Sequence, residues 1–304
     1  MKIAVEFPSV AFREGPEKIV ELAKAIETIG YDELAVFDHV VMGYPTATRE
    51  APIYPPQMPV LEALMLLAFA AAVTSRVSLS TEVLVLPQRQ PVLVAKQIAT
   101  LDTLSAGRVR LGVGVGWQKA EFDVLGEDFS NRGKRMDDAI RLLRAYWSDE
   151  TVNLEGPHYQ ADAIAMEPKP PQGANLPIWV GGLTKAALKR TGELGDGWMG
   201  SATGSDDKLV EVIAEIRRYA AEAGRDPNSV GMQAMLAPPP RDAAGKTFYA
   251  EPDRVVARAK MLQNMGFDWI SLNATAIFQA GARSVDAISD ELARLHDRIR
   301  AEIG

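Results

Sequence analysis

Two periods of hydrophobic residues alternate along the chain. Short runs rich in branched and aliphatic residues recur at 2–7, 33–37, 77–86, 108–115, 178–180, 197–200, 230–236 and 269–273. They have the length and composition of strands buried on both faces. Between them the apolar positions fall at helical spacing, as at Ile19, Leu22, Ala23, Ile26 and Ile29, or at Leu209, Val212, Ile213, Ile216 and Tyr219. Helices are predicted over 16–30, 59–73, 91–104, 121–147, 184–194, 206–223, 252–265 and 287–299, several opened by a proline near the first turn. Eight such βα units with short internal connections predict an α/β fold of the (β/α)8 TIM-barrel type, as a single domain over 1–304, rather than an open doubly wound sheet.

Two stretches interrupt the alternation. The proline-rich segment 40–59 has little periodicity and is too long for a simple connector, so it is expected to lie over the mouth of the barrel as a lid-like loop. The segment 150–176 is an excursion with a β-hairpin around Glu155 and Gly156, after which the proline-rich part from Pro168 leads back to the barrel. A loop rich in Pro, Arg and Gly is expected ahead of Tyr249.

The densest joint is 101–117, LDTLSAGRVRLGVGVGW, which holds a helix end, a glycine turn, a buried strand and a glycine-lined strand exit. Gly112, Gly114 and Gly116 fall at period two and strip one strand face of side chains. A dinucleotide-binding turn would need G-x-G-x-x-G, and Trp117 stands where its last glycine belongs. Two readings stay open: the glycines let neighbours pack inside a barrel, or they let a flat group approach.

Composition narrows the field. The 304 residues are 47% hydrophobic, enough for one large core, and the net charge of −7 argues against a general nucleic-acid or anionic-membrane surface. The absence of cysteine removes disulfides and thiolate chemistry and fits a cytoplasmic protein. The start, MKIAVEFPSV, lacks the pattern of a signal peptide, and the apolar run 60–73 is broken by Glu62 and too short to span a bilayer.

Asp38 and His39 stand immediately after the second strand, where barrel loops carry chemistry. A histidine exchanges a proton near neutral pH, and a neighbouring carboxylate can orient it. The glycine-rich turn Gly181, Gly182, Leu183, Thr184 joins a strand to a helix, so unpaired N–H groups and the positive end of the helix dipole converge there, as a phosphate site requires. Lys185 and Arg89 read as surface charges. Asp38 and His39 have no third ligand at metal spacing, and neither an H-E-x-x-H pair nor a nucleophile elbow is present, so no metal site is expected. A redox cofactor suits the arrangement better.

FDHV at 37–40, STEVLVLP at 80–87, the run from Pro91 to Phe122, PIWVGG at 177–182 and LGDGW at 194–198 together cover most of the barrel. With these pieces the chain resembles the luciferase-like flavin and deazaflavin oxidoreductases, and within them the coenzyme F-420-dependent branch. The resemblance implies hydride transfer between coenzyme F-420 and a small organic substrate, with an FMN-dependent monooxygenase as the alternative. A non-catalytic flavin-binding barrel is the reading of another class. It also implies, together with the apolar helix faces, a homodimer.

Residue by residue, the resemblance implies that His39, oriented by Asp38, contacts cofactor or substrate and supplies a proton. Glu82 and Val83 mark a bulge, often with a non-proline cis peptide, that presses on the central ring. Gly114 lies against that ring, and Gly181 to Thr184 hold the cofactor phosphate. Two positions depart from the family. Glu82 replaces a small residue and either hydrogen-bonds in the site or faces elsewhere. Trp117 stands where sugar-phosphate-oxidising relatives carry a glutamate, and reads either as an aromatic wall for a flat or apolar substrate or as packing beneath the lid. Trp198 is implied near the cofactor's tail, with a core tryptophan as competitor. Glu121, one helical turn on from Trp117, either reaches inward or, as the leading reading, is a solvated helix-start glutamate; Phe7 reads as cavity-facing or barrel-filling, and His158 and His296 as surface or packing residues.

Overall fold

The computed structural model describes residues 1–201, 206–237 and 248–304. The loop expected before Tyr249 falls largely outside the described residues. Eight parallel staves close into a barrel: β1 (Lys2–Glu6), β2 (Glu33–Val36), the interrupted third stave β3 (Ser78–Thr81) with β4 (Leu84–Val85), β5 (Val109–Gly114), β8 (Ile178–Gly181), β9 (Gly197–Ser201), β10 (Gly231–Met235) and β11 (Trp269–Asn273). Closure comes from β3, which pairs with β2 on one side and with β5 on the other. The intervening β6 (Val152–Glu155) and β7 (Gln160–Ile164) form the antiparallel hairpin of the excursion.

The helices form where the sequence gives them both an apolar face and a start signal. Thus α1 (Pro16–Ile29) has proline in its first turn and ends at left-handed Gly30. Next, α2 (Ala63–Ala71) begins at Glu62, whose side chain accepts from the Met65 N–H, and α3 (Pro91–Leu104) begins at Gln90, whose side chain accepts from the Leu93 N–H. The single helix expected over 121–147 is two, α4 (Lys119–Leu125) and α5 (Arg132–Ser148). Gly126, at φ +75°, takes the left-handed conformation that ends α4.

Beyond the hairpin follow α6 (Lys185–Leu194), α7 (Asp206–Glu222) and α8 (Pro252–Asn264). An unexpected short helix, α9 (Ala274–Ala280), starts directly after β11 because the Asn273 side chain accepts from the Ala276 N–H. The last helix, α10 (Val285–Ile303), is longer than its apolar pattern suggested because the Ser284 side chain caps it two residues earlier.

The main core lies between the staves and the helical ring, with Leu34, Leu79, Leu111, Ile178 and Ile270 all inaccessible. The barrel lumen is different in character. Lys2, Ala4 and Glu6 alternate inward from β1, and a small apolar set, Ala4, Trp179, Met199 and Trp269, packs within it against Val83. No helix among the described residues is long and apolar enough to cross a membrane.

Candidate active site

The third stave breaks where the sequence reading placed the bulge. The Glu82–Val83 peptide is cis, and the Glu82 N–H turns to the Val36 carbonyl, 2.7 Å away. Val83 is then seated between two glycines: a Cβ on Gly114 would lie 2.7 Å from Val83 Cγ2, and one on Gly181 3.1 Å from Val83 Cγ1. Gly112 leaves room for the Thr81 carbonyl and Met199, and Gly116 for Val85 and Phe122. Of the two readings open from sequence, Gly114 takes the one in which a neighbour packs into the space it leaves. The face it strips is occupied by Val83, so it is Val83 that these glycines present to the mouth.

His39 follows β2 and is buried beside the mouth, yet its partner is not Asp38. Its Nδ1 lies 3.1 Å from Glu121 Oε2. Glu121 Oε1 accepts the Val40 N–H at 2.5 Å, and the Gln118 amide, 3.4 Å from Oε2, ties the same carboxylate to the backbone of Val41 and Gly43. Glu121 is 1% exposed, so the expected solvated helix-start glutamate is in fact the group that holds His39. Burial pushes the Glu121 carboxyl up, but the hydrogen bonds and charge of His39 and the Val40 N–H more than offset it, and its pKa lies below the ordinary value.

Asp38 turns the other way. Its carboxylate accepts from Arg89 Nη2 at 2.7 Å and from the Val85 N–H at 3.0 Å, while Arg89 also reaches Glu62 at 3.0 Å. Asp38 thus fastens β4 to the end of β2. Its pKa is raised because burial outweighs the Arg89 charge. The expected orientation of His39 by Asp38 is not what the structure forms, and Arg89 is an ion-pair partner instead of a surface charge.

Three rings from three segments, those of His39, Trp117 and Tyr54, meet at the mouth. Trp117 lies 5.4 Å from the His39 ring edge-on, and Tyr54 of the 40–59 segment lies 5.7 Å from His39 and 6.2 Å from Trp117. Trp117 remains 37% exposed, at the boundary between wall and solvent. Nearby, the turn after β8 behaves as its glycines suggest. Gly182 has φ +120°, Thr184 Oγ1 accepts the Ala187 N–H at 3.2 Å, and the earlier N–H groups of α6 are left without intrahelical acceptors. Trp198 is inaccessible and donates from Nε1 to the Gly182 carbonyl at 2.8 Å. It braces this turn from within the core and does not itself line the mouth.

Below the bulge the lumen is polar. Glu82 is partly buried, and its Oε2 accepts from Ser271 Oγ on β11, across the barrel, at 2.7 Å. Glu6 accepts from Asn273 Nδ2 at 2.5 Å. Deeper, Arg110 grips both oxygens of Glu33 and the Gln233 carbonyl oxygen, with its guanidinium over Trp179 at 4.3 Å and over Trp269 at 4.0 Å. Of the two directions open to Glu82 from sequence, the structure has it hydrogen-bonded inside the barrel. Phe7 is buried in the main core. His158 pairs with Asp138 at 2.7 Å on the excursion side, and His296 packs against Tyr31.

Sequence reasoning did not single out Tyr54 or Glu6, and it ranked solvent above the inward orientation that Glu121 takes. Glu6 carried a readable signal, an acidic residue ending a strand otherwise apolar. Tyr54 sits in an aperiodic loop and carried none.

A family model for luciferase-like monooxygenases matches residues 5–244. Over 214 residues the chain is 36% identical to an uncharacterized protein of Mycobacterium bovis, covering 68% of this chain and 72% of that one. It is 28% identical over 310 residues to the F420-dependent glucose-6-phosphate dehydrogenase of Gordonia bronchialis, covering 99% of this chain and 82% of the relative. In fold it superposes on an F420-dependent secondary alcohol dehydrogenase, solved in complex with an F420-acetone adduct. The TM-score is 0.79 at 20% identity, over 98% of this chain and 99% of that chain. The Gordonia relative is by name a dehydrogenase, and with most of its barrel inside the family model the chain is an oxidoreductase that belongs to the luciferase-like monooxygenase family.

Proposed function

We propose that the protein is a cytoplasmic oxidoreductase that transfers a hydride between coenzyme F-420 and a small organic substrate at the C-terminal mouth of the barrel. The observation that carries this reading is the seating of Val83 between Gly114 and Gly181. It raises one apolar side chain on a cis bulge beside the glycine turn, a support for a flat ring next to a site for its phosphate. The bound deazaflavin would supply the hydride-accepting and hydride-donating ring. The chain's own residues supply position. Gly181 to Thr184 hold the phosphate on the N-terminus of α6, and Val83 backs the ring.

His39 is the proton-handling group. Glu121 takes its Nδ1–H, leaving Nε2 as the nitrogen that meets the substrate's proton. Trp117 and Tyr54 form an aromatic wall that excludes water, with 40–59 as the lid. This wall of aromatic faces fits a flat, apolar substrate better than a sugar phosphate.

The monooxygenase activity in the family's description supports a second reading, an FMN-dependent monooxygenase. Titrating the purified protein separately with F-420 and with FMN separates the two: binding of F-420 with weak or no FMN binding is expected, and tight FMN binding without F-420 binding overturns the leading reading. A non-catalytic flavin-binding barrel is distinguished by His39→Ala, which on the proposed reading lowers turnover while cofactor binding persists. We also propose a homodimer through the outward faces of α2 and α3, where Met65, Phe69, Leu93 and Leu104 are exposed.

A further inference from the structure

The lumen of a parallel α/β barrel is ordinarily filled by branched apolar side chains. Here Glu6, Glu33 and Glu82 enter it from three neighbouring staves; of the cations in the lumen, Lys2 lies over Trp269 at 4.8 Å, and the one that faces the carboxyls is Arg110. That guanidinium is already committed to Glu33 and to the Gln233 carbonyl oxygen. Three carboxyl groups therefore share one positive charge, and withdrawing the uncompensated ones from water costs several kcal/mol per ion if they stay charged. An independent sign points to the same spot. Because the Gln233 carbonyl oxygen faces Arg110, its amide nitrogen, on an inaccessible side chain, faces Glu82 as the acceptor within its reach. A buried donor is thus aimed at the Glu82 carboxyl itself.

We infer that Glu82, backed by Glu6, is a catalytic acid–base pair that holds one proton at neutral pH and exchanges it with the ring bound on the bulge above. Burial pushes the Glu82 carboxyl up to about 7, with the Glu33 charge adding to the rise. Hydrogen bonding to Ser271 and Gln233 and the Arg110 charge offset part of it. Glu6 is raised as well, by burial and by the Glu82 charge, so the two titrate as a unit. The remaining ionisable neighbour, Tyr249, is held neutral by burial while its hydroxyl donates to the Ala237 carbonyl at 3.1 Å and accepts from the Asn273 N–H at 2.9 Å.

The inference rests on the hydride-transfer reading and completes its proton balance. When a substrate C–H bond gives up its electron pair as hydride, the substrate O–H proton goes to His39. With the deazaflavin bound, the Glu82 O–H bond would break to supply the proton that the ring takes up along with the hydride. In the reverse direction the Glu82 carboxylate takes that proton back.

Infrared difference spectra of the cofactor-free protein across neutral pH read the pair directly. A protonated-carboxyl C=O band is expected that fades as pH rises through about 7, is lost in Glu82→Gln and survives in His39→Ala. In turnover, Glu82→Gln should lower kcat by roughly 100-fold with little change in substrate KM and remove the neutral limb of the pH profile, and Glu82→Asp should restore part of both. A missing band in a protein that binds the ring, or a band unchanged in both Glu82→Gln and Glu6→Gln, overturns the pair. Wild-type kcat and pH profile in Glu82→Gln overturn its catalytic role. A protein that shows the band but binds neither F-420 nor FMN overturns the redox reading instead, and with it the ring-directed role of Glu82.

Discussion

Replacing Glu121 tests which carboxylate holds His39. The side chain accepts two short bonds, from His39 Nδ1 at 3.1 Å and the Val40 N–H at 2.5 Å, and two long ones, from the Val41 N–H at 3.3 Å and Gln118 at 3.4 Å. Hydrogen bonds to a charged group contribute about 1.5–3 kcal/mol each, and the two short ones dominate. Water entering from the nearby mouth recovers part of that loss, so Glu121→Ala is expected to destabilise the fold by about 2–4 kcal/mol. Glu121→Gln keeps an acceptor for Val40 but offers His39 either a neutral oxygen or an NH2 group, and is expected to cost about 1–2 kcal/mol. Asp38→Asn is the control. It loosens the Arg89 pair and the Val85 contact, and leaves His39 in place.

Two measurements read these variants. Urea unfolding gives the stability, and long-range proton–nitrogen correlation spectra give the tautomer of His39 against only two other histidines, His158 and His296. The wild type should show the Nδ1–H tautomer, Glu121→Gln a mixture or the reverse, and Asp38→Asn the wild-type form. The Glu121 pKa is depressed in the folded state, so its contribution is present above the ordinary carboxylate value and is lost as pH falls through the folded value. The stability gap between wild type and Glu121→Gln should therefore narrow under acid. A tautomer change in Asp38→Asn with none in Glu121→Gln would refute the assignment.

Gly114→Ala should destabilise by about 1–3 kcal/mol although its backbone conformation admits alanine, because the new Cβ meets Val83 Cγ2 at 2.7 Å. Adding Val83→Ala should recover part of that loss, and additive effects in the double-mutant cycle would show that Gly114 does not seat Val83. For Glu82 the sign is opposite to that of Glu121. Its folded pKa is raised, so its contribution is fully present below the ordinary carboxylate value and lost as pH rises through about 7. Relative to Glu82→Gln, the wild type should lose on the order of 2–3 kcal/mol over that range in urea unfolding, and a constant difference would contradict the burial of the carboxyl.

The barrel was legible because its staves and helices announce themselves locally, by run length, by helical spacing and by capping residues such as Thr184 and Pro91. The bulge and the glycine turn were legible through motif resemblance. What was misread depends on closure. Asp38 and His39 are sequence neighbours, but successive side chains of an extended segment point to opposite sides, so adjacency argued against their pairing as strongly as for it. Glu121 sits in the first turn of α4 close to Lys119, which is the pattern of a solvated helix start. Its partner lies 82 residues away, and only the return of β5 beside the third stave brings them together. Gly114 announced an empty face, and nothing local said that Val83 fills it. Gly126 was visible in sequence and should have ended α4.

The two departures from the family pattern, Trp117 and Glu82, form one exchange on the proposed reading. Where sugar-phosphate-oxidising relatives place a glutamate after the fifth strand, this chain has an aromatic ring that packs with His39 and Tyr54. That substitution takes a charge out of the substrate wall. On the third stave, where the family has a small residue, this chain has a carboxyl directed into the lumen, bonded to Ser271 and enclosed with Glu6. A solvent-facing carboxylate would be ionised at neutral pH and ready to accept a proton. One held in a crowded, largely desolvated lumen keeps its proton and is ready to give it. Moving the carboxyl from wall to floor therefore does more than relocate a charge. It leaves the wall free to select a flat, neutral substrate, and confines proton delivery to the side of the site that such a substrate does not touch.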